Sequence, residues 1–318
     1  MKVFLPTVSS DSKTGKGLFC YRLSQELLKM GIKASDSTSG RYDIALHVIR
    51  HKHKVNAKKH IVRLDGVYHD KMLDYRFRNK PIKRDLHLSD AVVYQSKFSR
   101  RICNEYLGKF KGPAAVISNG ADPNFYADLQ PKKLPHKVNF LAASRWRPHK
   151  RLKDVIESFL LAAINDSCLY VAGDLEKCGL SKADRRKYFK TENIVHLGIV
   201  GQQKLGSYLK AIDGFIHLCW FDNCPNSVVE AICTSKPVVT NNVGGTPELI
   251  KKCGGYICDI DSKYNLKPCN LYNPPPVDRR VIADNICKCI LNEMKIDNSH
   301  VDVMNIAKSY KDFFLGIL

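Results

Sequence analysis

Two carboxylates, Asp222 and Glu230, stand eight positions apart in "CWFDNCPNSVVEAICTSKPVV", Cys219 to Val239. Between them a Pro-Asn-Ser turn opens a short helical pattern. Asn223 or Cys224 can cap that helix, with Pro225 in the first turn, where a missing N–H costs nothing. The amides of Asn226, Ser227, Val228 and Val229 then form a helix end that attracts phosphate oxygens and ribose hydroxyls. Glu230, one turn past Asn226, can accept two hydrogen bonds from a ribose diol. Asp222 can accept from the hydroxyls of a bound sugar. An ordinary Asp cap and a surface Glu would look the same in this segment alone.

A second group lies in "AASRWRPHKRLKDVIESF". Arg145 and Lys150 are five apart across a tight loop holding Pro148. Two cations at the carboxyl edge of a strand can bracket a diphosphate, Arg as a fork and Lys as a point charge. In a transfer reaction they would neutralise charge growing on a leaving group. Arg147 and Arg151 lie beside them, so a solvated basic loop reads equally well. Gly15 and Gly17, in the loop after the first strand, let backbone approach a phosphate closely. They form neither a dinucleotide fingerprint nor a Walker loop. Gly244 and Gly245, followed by Thr246-Pro247-Glu248, make another loop whose amides can meet a ligand. No His/Asp cluster has metal-ligand spacing.

The elements that must position these groups alternate between strand and helix. "KVFLPTV", "YDIALHVI", "KHIVRLDG", "DAVVYQS" and "PAAVISNGAD" read as strands, with helices at "LFCYRLSQELLKMG" and "KFSRRICNEYLG". Residues 122–137, rich in Pro and Lys, read as a linker. Strand–helix units then resume from "VNFLAAS" to "TPELIKK". The expectation is an α/β protein with two parallel-sheet, Rossmann-like domains facing a cleft. The boundaries expected are 1–132 and 133–300, with 301–318 a final helix packing back on the first domain.

Composition narrows the class. At 318 residues and 44% hydrophobic, the chain is long enough for two cores. No apolar run is long enough to span a bilayer, and the N-terminus lacks a signal-peptide core, so a soluble, cytoplasmic protein is expected. Twelve cysteines without a CxxC pair read as buried free thiols in a reducing compartment. The net charge is +20. Residues 1–132 hold 25 Lys+Arg and 12 Asp+Glu, a balance of +13; the rest hold 26 and 19, a balance of +7. A basic first half points to an anionic partner, whether membrane, phosphorylated substrate or nucleic acid, or only to solubility. "RYDIALHVIRHKHKVNAKKH" gathers Lys52, Lys54, Lys58 and Lys59 and reads as a solvated face.

Taken together in order, these segments resemble the family 4 glycosyltransferases of GT-B fold. The resemblance runs from Gly15 and Gly17 through "VVYQSKFSRRI", "VISNGADPNFY" with Asn119, Gly120 and Asp122, the Arg145–Lys150 pair, and Asp222 with Glu230, to "GGTPELI". The first of the paired acids is usually Glu in that family; here it is Asp222. The usual N-domain histidine is replaced by "IVRLDGVYHD", with Asp65 before Gly66, which looks like an Arg-x-Asp-Gly subset. His47 and His69 are other candidates for that place.

The resemblance implies a UDP- or GDP-linked sugar donor, retention of configuration and no metal or other cofactor. Arg145, Lys150, Asp222 and Asp65 would act at the reacting centre. Gly15, Gly17, Asn226, Ser227, Val228, Val229, Glu230, Gly245 and Thr246 would hold the donor. The implied acceptor is a glycan or glycolipid, with peripheral contact to an anionic membrane. A glycosyltransferase acting on nucleic acid, or a degenerate binding protein of the same fold, are the alternatives.

Overall fold

A computed structural model describes residues 1–9, 14–261 and 264–318. The glycine loop expected between Ser9 and Gly17 includes residues 10–13, which lie outside the described residues. The chain divides into two compact units. The first comprises Met1–Asp122, Leu266–Cys269 and Val301–Leu318; the second comprises Pro123–Asn265 and Asn270–His300. No helix among the described residues is long and apolar enough to cross a membrane.

The first unit runs β1 (Lys2–Phe4), α1 (Gly15–Lys29), β2 (Lys33–Ser35), β3 (Arg41–Val48), β4 (Asn56–Leu64), α2 (Tyr75–His87), β5 (Ala91–Tyr94), α3 (Lys97–Leu107) and β6 (Ala114–Val116). Its six strands are parallel in the order β2-β1-β3-β4-β5-β6. Both faces of such a sheet are covered, so the central strands carry near-continuous apolar runs. Ile44, Ala45, Leu46, Ile61, Val62, Leu64 and all of β5 are buried accordingly. On α1, Phe19, Leu23 and Leu27 recur every four residues and enter the same core.

Helix α2 was not expected from the sequence. Its composition is strongly polar and Pro81 sits inside it, where a proline removes a helical hydrogen bond. Asp74 caps it by accepting from the Phe77 amide at 2.9 Å, and Asn79, Ile82, Asp85 and Leu86 form its buried face. Tertiary packing here outweighs propensity.

The second unit runs α4 (Pro123–Ala127), β7 (Val138–Ala143), α5 (Leu152–Ala162), β8 (Ser167–Ala172), α6 (Lys182–Tyr188), β9 (Ile194–Gly198), α7 (Gln202–Ala211), β10 (Gly214–His217), α8 (Asn226–Cys233), β11 (Val238–Asn241), α9 (Thr246–Cys253), β12 (Tyr256–Cys258) and α10 (Arg279–Leu291). The short helix α4 lies inside the segment read as a linker. The sheet order is β9-β8-β7-β10-β11-β12, all parallel. That is the doubly wound Rossmann order, whose direction reverses between β7 and β10. The chain ends with α11 (Val303–Leu315) in the first unit, where Tyr310 and Phe314 are fully buried in one cluster with Phe19 and Leu23.

Candidate active site

In a doubly wound sheet the two strands flanking the reversal leave a crevice beyond their carboxyl ends. In the second unit those strands are β7 and β10. The chain leaving β7 is Ser144–Arg151, and the chain leaving β10 is Leu218–Pro225. The expected cations and the first expected acid therefore emerge side by side.

The two exits are tied together. The Trp220 amide donates to the His149 carbonyl at 2.8 Å. The β7 exit is fastened in turn to β8, because the Trp146 indole donates to the Ala172 carbonyl at 2.9 Å. A 3₁₀ turn, Pro148–Lys150, then directs Lys150 onto Asp222, with Nζ 2.5 Å from Oδ2. Side-chain exposures of 17% and 19% remove this pair from the class of loose surface bridges. Burial disfavours both charges, but each outweighs that penalty for the other: the Lys150 pKa stands above the usual lysine range and that of Asp222 below the usual carboxylate range. The sequence offers a diphosphate clamp or a solvated basic loop for these two cations. Arg145 is exposed, whereas Lys150 is largely enclosed and already engaged by the acid.

Two further groups of this cluster escaped the sequence reading. His217, the last residue of β10, is 5% exposed, and its Nε2 stands 3.9 Å from Asp222 Oδ2. Burial, helped by the Lys150 charge, lowers its pKa to about 3, so the ring is neutral. Cys219 Sγ donates to the Phe221 carbonyl at 2.9 Å, and burial raises its pKa to about 11. The only signal in the sequence was their place, at and just past the carboxyl end of an apolar strand.

Helix α8 starts one step later than expected. Pro225 is the N-cap and Asn226 the first helical residue. Asn226 and Ser227 hold the first two positions, but the amides of Val228 and Val229 both point to the Pro225 carbonyl, at 3.2 and 3.1 Å. The expectation of four ligand-facing amides is corrected to the first turn's leading two, because the cap carbonyl already serves the others. Glu230 is buried at 5% exposure, not a surface residue.

The late glycine loop meets the same acid from the other side. The Gly245 amide donates to the Asp222 carbonyl at 2.7 Å. Gly244 has φ +99°, and a Cβ there would lie 2.9 Å from the Asp222 carbonyl oxygen. Gly245 caps α9 and Thr246 behind it is buried. Arg151, one of the neighbouring cations, is structural: it has φ 55° and forms a buried fork onto Asp261 at 2.8 and 2.6 Å.

In the first unit Asp65 directly follows β4. Arg63 Nη1 lies 2.7 Å from its Oδ1, and the Gln95 amide donates to the same oxygen at 3.1 Å. Arg63, 1% exposed, also donates to Asn119, so the Arg-x-Asp-Gly and Asn-Gly segments form one polar cluster. Burial raises the Asp65 pKa, with Arg63 opposing. Gly15 and Gly17 are the first and third residues of α1, not loop residues; the Thr14 hydroxyl accepts from the Gly17 amide at 3.2 Å. His69 is a loop residue whose pKa burial lowers. All twelve cysteines are free, and only Cys269 and Cys287 are more than marginally exposed.

Residues 128–267 match the family described as glycosyl transferases group 1. The second unit carries a glycosyltransferase domain. That span covers β7 to β12 and therefore the Lys150–Asp222 pair, Glu230 and the Gly244–Gly245 loop. Solved structures agree with the fold over nearly the whole chain. A sucrose-phosphate synthase from Thermosynechococcus elongatus is 12% identical with a TM-score of 0.65, covering 99% of this chain and 96% of that one. The lipopolysaccharide outer core galactosyltransferase WaaB is 12% identical with a TM-score of 0.61 and full coverage of both chains. Anabaena Alr3699/HepE in complex with UDP is 15% identical with a TM-score of 0.58, covering 99% and 96%. These likenesses show the two-domain GT-B fold. Among curated proteins none matches the chain. The protein is a glycosyltransferase, and its chemistry is glycosyl transfer.

Proposed function

We propose that this glycosyltransferase moves a hexose-type sugar from a UDP- or GDP-linked donor to a hydroxyl of a glycan or glycolipid, with retention of configuration and without a metal in the reaction. The observation that carries the proposal is the Lys150–Asp222 pair at the carboxyl ends of β7 and β10. It sets a cation for phosphate oxygens beside an ionised acceptor for sugar hydroxyls. The solved relative that holds UDP supports a uridine nucleotide as the first ligand to try.

In this scheme the donor diphosphate lies at the first turn of α8, with Lys150 and the Arg145 fork on its oxygens. Asp222 accepts from hydroxyls of the hexose, and Glu230 from the ribose. The Thr246 amide adds a donor contact in the second unit, beside a Gly245 amide that the Asp222 carbonyl already holds. The acceptor hydroxyl attacks the anomeric carbon on the face from which the diphosphate departs. The carbon–acceptor bond forms as the carbon–phosphate oxygen bond breaks, and the hydroxyl proton passes to a phosphate oxygen. Both cations stabilise the negative charge as it grows on the leaving group. Asp65, in the first unit, takes the place usually held by a histidine and accepts a hydrogen bond from the acceptor.

The surface around α2 supports an acceptor held at an anionic membrane. Met72 and Phe77 are 66% and 67% exposed, and Leu73 and Leu88 are exposed beside them. Lys71, Arg76, Arg78, Lys80, Lys83 and Arg84 are exposed in the same segment. Apolar side chains together with cations are what an interfacial helix presents to acidic headgroups. The free thiols suit a cytoplasmic location.

The deciding experiment is calorimetry of the purified chain with UDP, GDP, ADP and their sugar conjugates in chelator, followed by donor hydrolysis. Saturable binding of one diphosphate, lost in Lys150→Ala, is the expected result. No binding to any would overturn the proposal.

A further inference from the structure

The basic segment read as a solvated face contains more than lysines. His47 ends β3 one residue before its last position, His60 lies on β4, and His51 stands in the connection between these strands. The parallel register places Ala45 opposite His60, so the two histidines are brought near across neighbouring strands, and the connection folds His51 back over them. Ring nitrogens of the three lie within 4.8 Å of one another. His47 Nε2 and His60 Nδ1 face each other at 3.0 Å. The His47 and His51 rings stack with centroids 4.0 Å apart.

We propose that His47, His51 and His60 form a binding site for one zinc-like transition-metal ion in the first unit, separate from the donor chemistry of the second. Three observations support it. First, the tautomer of His51 is decided by its neighbour. The Ser89 hydroxyl has one proton and donates it to the Asp85 carbonyl at 2.8 Å. It must therefore accept from His51 Nε2, 2.8 Å away, which leaves Nδ1 with its lone pair. An imidazole N–H anchored on an oxygen, with the other nitrogen bare, is the arrangement that orients a metal-bound histidine.

Second, two imidazole nitrogens on one tetrahedral zinc, at about 2.05 Å each, stand about 3.3 Å apart. The facing nitrogens of His47 and His60 are already close to that separation, and they share only one proton. Taking up a dication moves that proton to the far nitrogen of its own ring, with no net release. His47 is 1% exposed and its Nδ1 has no hydrogen-bond partner, so the buried ring is held by little except the other histidines.

Third, the ligand set is right. Cations on the same connection and strand are paired: Arg50 with Asp85 at 2.6 Å, Lys58 with Asp43 at 2.7 Å and Lys59 with Asp90 at 3.4 Å. Three nitrogen ligands with no sulfur or carboxylate favour zinc, nickel or copper over magnesium or calcium.

The site borders a cavity of about 170 Å³ at the carboxyl ends of β1 and β3, lined by Val48, Arg50, Lys52 and His53 among others. An ion there would fasten the 49–55 connection that supplies this wall.

The test uses the full chain without a histidine tag, stripped by chelator and titrated with zinc chloride against an indicator, then with cobalt. The expected result is one saturable zinc per chain at micromolar metal, a cobalt spectrum of nitrogen-ligated tetrahedral type without a thiolate band, and a raised Tm. His51→Ala and His60→Ala should each abolish uptake, and Ser89→Ala should weaken it about 10–100-fold. If those variants fold poorly, ¹⁵N spectra of the wild-type imidazoles on zinc addition read the same question. Uptake unchanged in both histidine variants, lost instead in Cys219→Ala, or absent from the wild type overturns the site. So do imidazole resonances that zinc leaves unmoved.

Discussion

At the scale of single residues, Lys150 and Asp222 have to be understood as one unit. Removing the lysine deletes a phosphate contact and also strands a carboxylate that is only 19% exposed. Lys150→Ala should lower turnover by about 10²–10³-fold, the usual loss for one preorganised charge at a transition state. It should also cost about 1–2 kcal/mol of stability, discounted from the fully buried case because both groups keep some solvent. Adding Asp222→Asn should restore Tm but not turnover, measured by thermal melts and donor hydrolysis. Arg145→Ala, on an exposed side chain, should reduce turnover with Tm unchanged. Equal melting losses in the two single variants would contradict this division. Asp65→Asn keeps the shape of its cluster with Arg63 and Gln95 while removing the charge. It should lower kcat and leave nucleotide affinity, read by calorimetry, as it was.

At the scale of elements, the Gly244–Gly245 turn shows how a loop and an acid are made to fit. Its left-handed φ and the 2.9 Å approach to the Asp222 carbonyl leave no room for a Cβ. Gly244→Ala should lose about 1–3 kcal/mol through backbone strain and displacement. It should weaken donor binding too, since Asp222 moves with the loop; a variant with lower Tm and unchanged donor affinity would show that the loop does not position the acid. Helix α2 makes a different prediction. Phe77→Ser and Met72→Ser remove exposed apolar groups and should leave Tm within about 0.5 kcal/mol of the parent. They should reduce sedimentation with phosphatidylglycerol vesicles and have no effect with phosphatidylcholine vesicles. Unchanged sedimentation would remove the membrane from the function.

At the scale of the whole molecule, buried neutral histidines tie stability to pH. His47 and His217 have folded pKa values near 3, against about 6.5 in an unfolded chain. Between those values the unfolded state binds more protons, so stability rises with pH and falls on acidification. Each ring contributes about 1.4 kcal/mol per pH unit, or about 2 kcal/mol at pH 5, and the loss ends near pH 3 where the folded rings also charge. Urea melts from pH 7 to pH 4 should show this slope, halved in His217→Gln. The last helix binds the first unit to its own end: Phe314→Ala should cost about 3–5 kcal/mol, because that ring is fully buried with Phe19 and Leu23.

Much of this architecture is local and was legible as such. Apolar runs, glycine stops and strand–helix alternation announce parallel sheets, and the order Arg145, Lys150, Asp222, Glu230, Gly245 along the chain carried the resemblance. Those features depend on backbone period and on turn chemistry, which neighbouring residues set. Helix α2 was hidden because Pro81 and its charges contradict helical propensity, and only the packing of Ile82 and Leu86 decides it. The Lys150–Asp222 bond, the burial of Glu230 and the entry of His217 into that cluster also belong to tertiary structure alone. So does the meeting of His47, His51 and His60, which linear spacing does not show as a metal set. Their partners come from different strands and connections, up to 72 positions apart for Lys150 and Asp222. Whether a charge meets its counterion or a ring its neighbour is set by sheet order and register, and no local pattern encodes those.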